Sequence, residues 1–343
     1  MSAAVAQPPA APPDPRATAG GATRALLVLA GFTVALAAAS NLALVHSARF
    51  LAFARGGDDA AGQPMRIEAT LRALRPGEAQ IVAVGSSVLF ADVDAARLAE
   101  RYGLFLRPLA LFGGTTAEMA MLSPSLAQAR PRAVVVLATA WTMFDHVDWP
   151  SVRVYDPRIA SSLVSGRELL ADRQAHASHL LGSFHFVIRH RAALRERIAA
   201  AARLRGAPTG EAAERINPRL PPAVRAREVT AADFSCTGVN ARALELMAGR
   251  MREAGVTFVI VPTPADSPWD RDEVLGQRLD GCLAGIAART GARVVLRPAP
   301  GDFPSSDFEN EQHMNASGKQ RFTDRLGLLL QHALAPRSGD AVQ

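Results

Sequence analysis

Short apolar runs bounded by turn residues alternate along this chain with longer segments in which apolar residues recur every three or four positions. The runs Ile81 to Val84, Leu106 to Phe112, Val134 to Ala138, Thr257 to Val261 and Arg293 to Leu296 have the length of buried strands. The segments Arg66 to Leu74, Asp94 to Tyr102, Thr116 to Gln128, Ala241 to Ala254, Leu275 to Thr290 and Ser317 to Ala335 carry helical periodicity. Strands that alternate with helices build a parallel sheet covered on both sides. The expected fold class is therefore α/β, a three-layer sandwich around a mostly parallel five-stranded sheet.

Three stretches break that rhythm. Residues 1–24 are rich in Ala, Pro and Gly without hydrophobic periodicity and predict a disordered tail, as do residues 336–343. From Ala25 to Ala48 there is no charged residue, and at about 1.5 Å per residue such a helix covers the roughly 30 Å of a bilayer core. This span predicts an uncleaved transmembrane signal anchor. The run Ala37-Ala38-Ala39-Ser40 offers a cleavage site as the alternative, and burial within a soluble domain is a third reading. Arg16 and Arg24 stand against Asp14 on one side and Arg49 and Arg55 on the other, so charge orients the span only weakly. A connector over 49–79 then leads to a domain over 80–335. Within it, about 151–222, lies a predicted helical insertion whose Arg-rich face fits a solvated surface better than anionic lipid or an acidic polymer.

Composition adds little to this outline. The 343 residues carry a net charge of +6 and 49% hydrophobic residues, ample for a sizeable core. The basic residues are scattered arginines, Lys319 being the only lysine, and aromatics are few; no nucleic-acid partner is expected. Cys236 and Cys282 fit no metal-ligand pattern, and they are read either as a disulfide of an oxidising compartment or as two core thiols. No metal and no organic cofactor is expected.

The chemistry lies in two distant segments. Val84-Gly85-Ser86-Ser87 puts a serine where a strand gives way to a helix, the edge at which parallel sheets bind ligands. Ser87 is the candidate nucleophile and Ser86 the reserve; the plainer reading is a helix cap. His313 lies in the polar loop His313-Met314-Asn315-Ala316-Ser317-Gly318 ahead of the last helix. The other seven histidines fall in the anchor, beside Asp145, in the insertion or in the last helix. A serine hydroxyl needs such an imidazole to take its proton. Asp307, Glu309 and Glu311 lie close enough in sequence to His313 to orient it.

These segments resemble the SGNH/GDSL hydrolase superfamily over about Gln80 to Leu330, in the membrane-anchored branch similar to alginate-type O-acetyltransferases and D-alanine transfer proteins. The resemblance implies an SGNH or flavodoxin-like sheet with Ser87 as nucleophile and His313 as base. It implies Gly113, in Leu111-Phe112-Gly113-Gly114, as an oxyanion donor beside the Ser87 amide. Two positions depart from the family pattern. Val136-Leu137-Ala138-Thr139-Ala140-Trp141-Thr142 lacks the usual oxyanion asparagine, and Asn310 stands where the last motif carries the triad aspartate. Three explanations stay open: Asn310 orients a Ser-His dyad, a carboxylate among Asp307, Glu309 and Glu311 replaces the lost acid, or the protein binds without catalysis. The implied function is a serine acyl esterase or O-acyltransferase, tethered in the inner membrane by a single pass with its domain in the periplasm or outside the cell. It would act on a cell-surface polysaccharide or other carbohydrate ester, with envelope-complex proteins as partners. An inactive binding or scaffold protein of such a complex is the alternative.

Overall fold

The computed structural model describes residues 15–55, 63–74, 81–149, 152–183, 234–267, 271–299 and 301–335, with 185, 186, 190, 193–195 and 198 between them. Its sheet has five parallel strands: β1 (Ile81–Gly85), β2 (Leu106–Ala110), β3 (Ala133–Ala138), β4 (Thr257–Pro262) and β5 (Arg293–Val294). Their spatial order is β2-β1-β3-β4-β5, the doubly wound flavodoxin-like arrangement, with a switch of direction beside β1. In register, Val84 pairs with Leu109 and Val136, so the ends of β1, β2 and β3 share one edge.

Both faces of the sheet are apolar because successive side chains point to opposite sides. Val82, Val84, Val134, Val136, Phe258 and Ile260 face helices α3 (Gln63–Ala73), α6 (Thr116–Ala120), α7 (Ser123–Ala129), α12 (Val239–Glu253) and α13 (Glu273–Thr290). Ile81, Ala83, Val135, Leu137, Val259 and Val261 face α4 (Ser87–Asp92), α5 (Ala95–Tyr102) and α14 (Ala316–Leu334), where Leu98, Phe322, Leu326 and Leu330 are buried. This is the three-layer α/β architecture that the hydrophobic pattern predicts. The helix expected over Thr116 to Gln128 is instead two, α6 and α7. Pro124, in the first turn of α7, lacks the amide that a continuous helix would need there.

Between β3 and α12 come α8 (Ala140–Met143), which precedes the expected helical insertion, and α9 (Pro157–Leu163), α10 (Gly166–Ala171) and α11 (Arg173–Ser183), which lie within it; most of its second half lies outside the described residues. Cys236, just before α12, is bonded to Cys282 of α13, with 5.4 Å between their α-carbons. Helix α1 (Pro15–His46) holds the apolar stretch Leu27–Leu44, none of it buried and long and apolar enough to cross a membrane; an anchor and a signal sequence both meet that description. It starts ten residues before the expected span, inside the segment predicted to be disordered. A helix nucleated in the apolar stretch needs no new nucleus to extend toward its N-terminus, where Ala17, Ala19 and Ala22 favour it and Pro15 stands at its first position. The tails over 1–14 and 336–343 lie outside the described residues.

Helix α1 is not separate from the rest. Ser40 Oγ lies 3.0 Å from His185 Nε2, and the Phe186 amide donates to Asn41 Oδ1 at 2.7 Å. Phe186 also packs edge-on against Phe50 of α2 (Ala48–Arg55), in a small cluster with Leu51, Met65 and Leu194. His190 Nε2 meets Glu68 of α3 at 2.9 Å, so α1, α2, α3 and the insertion form one joint.

Candidate active site

Strand β1 is buried along its whole length and delivers Ser86 and Ser87 to the C-terminal edge of the sheet. Ser86 is the buried N-cap of α4 and makes no side-chain cap bond; Ser87 is the first helical residue and half-buried. Ser87 Oγ lies 2.8 Å from His313 Nε2, across 226 positions of sequence. Ser86 has no such contact among the described residues.

The loop carrying His313 is held from several directions. A bridge joins Phe308 to Met314, the Glu309 amide donates to the His313 carbonyl at 2.8 Å, and the Asn315 amide donates to the Asp307 carbonyl at 2.9 Å. Asn315 also caps α14, its side-chain oxygen accepting from the amides of Ser317 and Gly318. From outside the loop, Asp92 at the end of α4 accepts from the Met314 amide at 2.8 Å, and the Asp266 amide donates to the Glu311 carbonyl at 2.9 Å. Burial lowers the pKa of His313 below the ordinary imidazole value, opposed by the nearby charge of Glu309.

Asn310 does touch the imidazole, through the nitrogen of its amide and not the oxygen. Its Oδ1 accepts from the backbone amides of Gln312 and His313, each at 3.0 Å. This leaves Nδ2 facing His313 Nδ1 at 3.2 Å, so Asn310 meets the ring as a donor. Asp307 is buried and paired with Arg321 at 2.7 Å, while Glu309 and Glu311 are exposed. Among the described residues, none of these three carboxylates hydrogen-bonds to His313.

Gly113 has φ +65°, the left-handed conformation that glycine adopts most readily, in the turn that follows β2. The turn is fixed on both sides of it: the Leu111 amide donates to the Gly85 carbonyl at 2.8 Å, and the Phe112 amide donates to Gln63 Oε1 of α3 at 2.9 Å. The amides of Gly113 and Ser87 have no acceptor among the described residues. In the third motif, Thr139 and Thr142 form a capping box that starts α8, and Trp141 is half-exposed. Beside Ser87, Phe90 is 62% exposed and meets the half-buried Phe112 edge-on with 5.5 Å between ring centres.

Two supporting residues escaped the reading of the sequence. Gln63 braces the Gly113 turn and gives no local signal. Asp92 braces the His313 loop; its one clue is a carboxylate closing the otherwise apolar helix Val88-Leu89-Phe90-Ala91-Asp92. A cavity of about 290 Å³ opens beyond β4 and β5, lined by Thr263, Asp266, Arg271, Arg297, Phe303 and Ser305 among others, and includes neither Ser87 nor His313. Among the described residues no group of three or more His, Cys, Asp or Glu side chains is set to hold a metal ion.

No family model and no curated protein matches the chain. Solved structures of similar fold include a GDSL-like lipase from Bacteroides thetaiotaomicron, 12% identical, with a TM-score of 0.40 over 80% of this chain and 98% of that one. TesA is 14% identical, with a TM-score of 0.37 over 74% of this chain and 98% of its own. A catalytic mutant of Axe2, an acetylxylan esterase from Geobacillus stearothermophilus, is 8% identical, with a TM-score of 0.37 over 77% of this chain and 97% of its own. Superpositions this loose carry no functional inference; the fold rests on the strand order itself.

Proposed function

We propose that the chain is a serine acyl esterase or O-acyltransferase in which Ser87 is the nucleophile and His313 the proton carrier. The observation that carries this reading is the 2.8 Å approach of Ser87 Oγ to His313 Nε2 at the ligand-binding edge of a parallel sheet. In the forward step Ser87 Oγ bonds to the ester carbonyl carbon, and its proton passes to Nε2. The tetrahedral oxyanion is met by the amides of Ser87 and Gly113. Collapse breaks the bond to the departing alcohol, which takes the proton from Nε2 and leaves an acyl-serine. Water or a sugar hydroxyl then accepts the acyl group by the reverse route.

The span over 25–48 serves in this proposal as an uncleaved inner-membrane anchor, with the domain over 80–335 on the periplasmic side. The disulfide suits such an oxidising compartment. A carbohydrate ester of the cell surface is the substrate that the motif resemblance favours, and a tether suits work on such a polymer. Asn310 favours the alternative of a non-catalytic binding or scaffold protein, since it gives the imidazolium no counter-charge.

Labelling with a serine-directed fluorophosphonate distinguishes the two. The native protein is expected to label, Ser86→Ala to retain most of the signal and Ser87→Ala to lose it. Signal that survives Ser87→Ala but not Ser86→Ala would reassign the nucleophile, and an unlabelled native protein would favour the scaffold.

A further inference from the structure

The structure assigns Asn310 as a positioning residue that holds His313 in its Nε2-protonated tautomer, leaving the Ser-His pair throttled at rest. This deepens the esterase reading and rests on it. The amide is oriented by its oxygen: two backbone N–H groups at 3.0 Å point at Oδ1, and reversing the side chain would set Nδ2 against both donors. Nδ2 therefore carries its hydrogens toward His313 Nδ1 at 3.2 Å, and that nitrogen can answer only with its lone pair. In a neutral imidazole the proton then sits on Nε2. At 2.8 Å it is donated to Ser87 Oγ, opposite to the direction in which a base must work.

Two consequences follow for turnover. Before attack, the imidazole must move its proton from Nε2 to Nδ1 by exchange with solvent, which sets an N–H of the ring against the N–H of Asn310. When Ser87 then passes its proton to Nε2, the imidazolium keeps that opposed pair at Nδ1 and meets no carboxylate there. An aspartate at 310 would keep both backbone bonds through one oxygen and accept from Nδ1–H with the other. In a serine protease, the loss of this acid through a wrong tautomer lowers kcat by about 10⁴.

The test uses the full chain in detergent with ¹⁵N-labelled histidine at neutral pH, the His313 signal being the one missing from His313→Ala. We expect native His313 to be protonated at Nε2, and Asn310→Asp to move the proton to Nδ1. Against an activated aryl ester, Asn310→Asp is expected to raise kcat by about a hundredfold or more with little change in KM. A native His313 protonated at Nδ1 overturns the assignment, and that measurement does not depend on how Asn310→Asp folds. A tautomer that moves in Asn310→Asp while kcat stays at the native level overturns the throttle. If neither protein turns over ester or labels with fluorophosphonate, the esterase reading fails while the nitrogen spectrum still decides the tautomer.

Discussion

Asp92 is wholly buried at the end of α4, with Oδ1 accepting from the Met314 amide and Oδ2 without a hydrogen-bond partner among the described residues. Burial pushes its pKa up to about 7, against the pull of the Met314 amide and of Lys319. A carboxyl whose folded pKa lies above its unfolded value near 3.8 contributes stability that is full below that value and is lost as pH rises toward about 7. The loss is on the order of 4 kcal/mol. Asp92→Asn keeps an acceptor for Met314 and removes the charge. It is expected to melt higher than the native protein above pH 7, with the gap closing toward pH 4; equal melting temperatures at both pH values would refute the account. His313 works the other way. Its lowered pKa keeps the ring neutral, so kcat/KM for an ester is expected to rise with pH to a plateau reached below the ordinary imidazole range. Ser87 and His313, whose side chains meet at 2.8 Å, could be picked out from the sequence because each lies in a short motif whose chemistry is local. Asp92 and Gln63 could not, because what they do depends on partners 222 and 49 positions away.

At the scale of elements, the first turn of α14 fixes how His313 is presented. A β-carbon on Gly318 would come within 2.1 Å of the Asp307 carbonyl oxygen, a backbone atom that can move only with the loop. Gly318→Ala is therefore expected to push the 305–315 loop off the helix, lengthen the Ser87–His313 contact and cut kcat at least tenfold. Gly113 has open space around its missing side chain, so Gly113→Ala meets only its positive φ and costs about 1–2 kcal/mol in denaturant unfolding. Strands β1, β3 and β4 were readable from β-branched runs bounded by turns, whereas β2, Leu-Arg-Pro-Leu-Ala, has no β-branched residue and was readable only as an apolar run ending at Gly113-Gly114. The break between α6 and α7 was signalled by Pro124 but overridden by the continuous apolar period. The reversed amide of Asn310 follows from two backbone hydrogens in the folded loop, which residue types alone do not specify.

Over the whole molecule, the disulfide closes a separation of 46 residues between the start of α12 and the middle of α13. Chain-entropy reasoning gives such a cross-link about 2–4 kcal/mol. Cys282→Ser, or the native chain melted with reductant, is expected to unfold at a lower temperature than the oxidised form; unchanged melting would mean that the link adds nothing to the packing of α12 on α13. The order of layers followed from the alternation of apolar patterns, since it needs only short connections and buried faces. The meeting of helix α1 with the insertion was not legible, because Ser40 reads as the end of a small-residue run and Asn41 as a single polar residue in an apolar helix until His185 and Phe186 stand opposite them.

That meeting bears on reach. Two hydrogen bonds and an aromatic contact tie α1 and α2 to the insertion, and with α1 as the proposed anchor they would set the elevation and tilt of Ser87 over the lipid surface. On the tethered-esterase proposal, an ester held within that narrow zone would be reached and one farther out would not, whatever its chemistry.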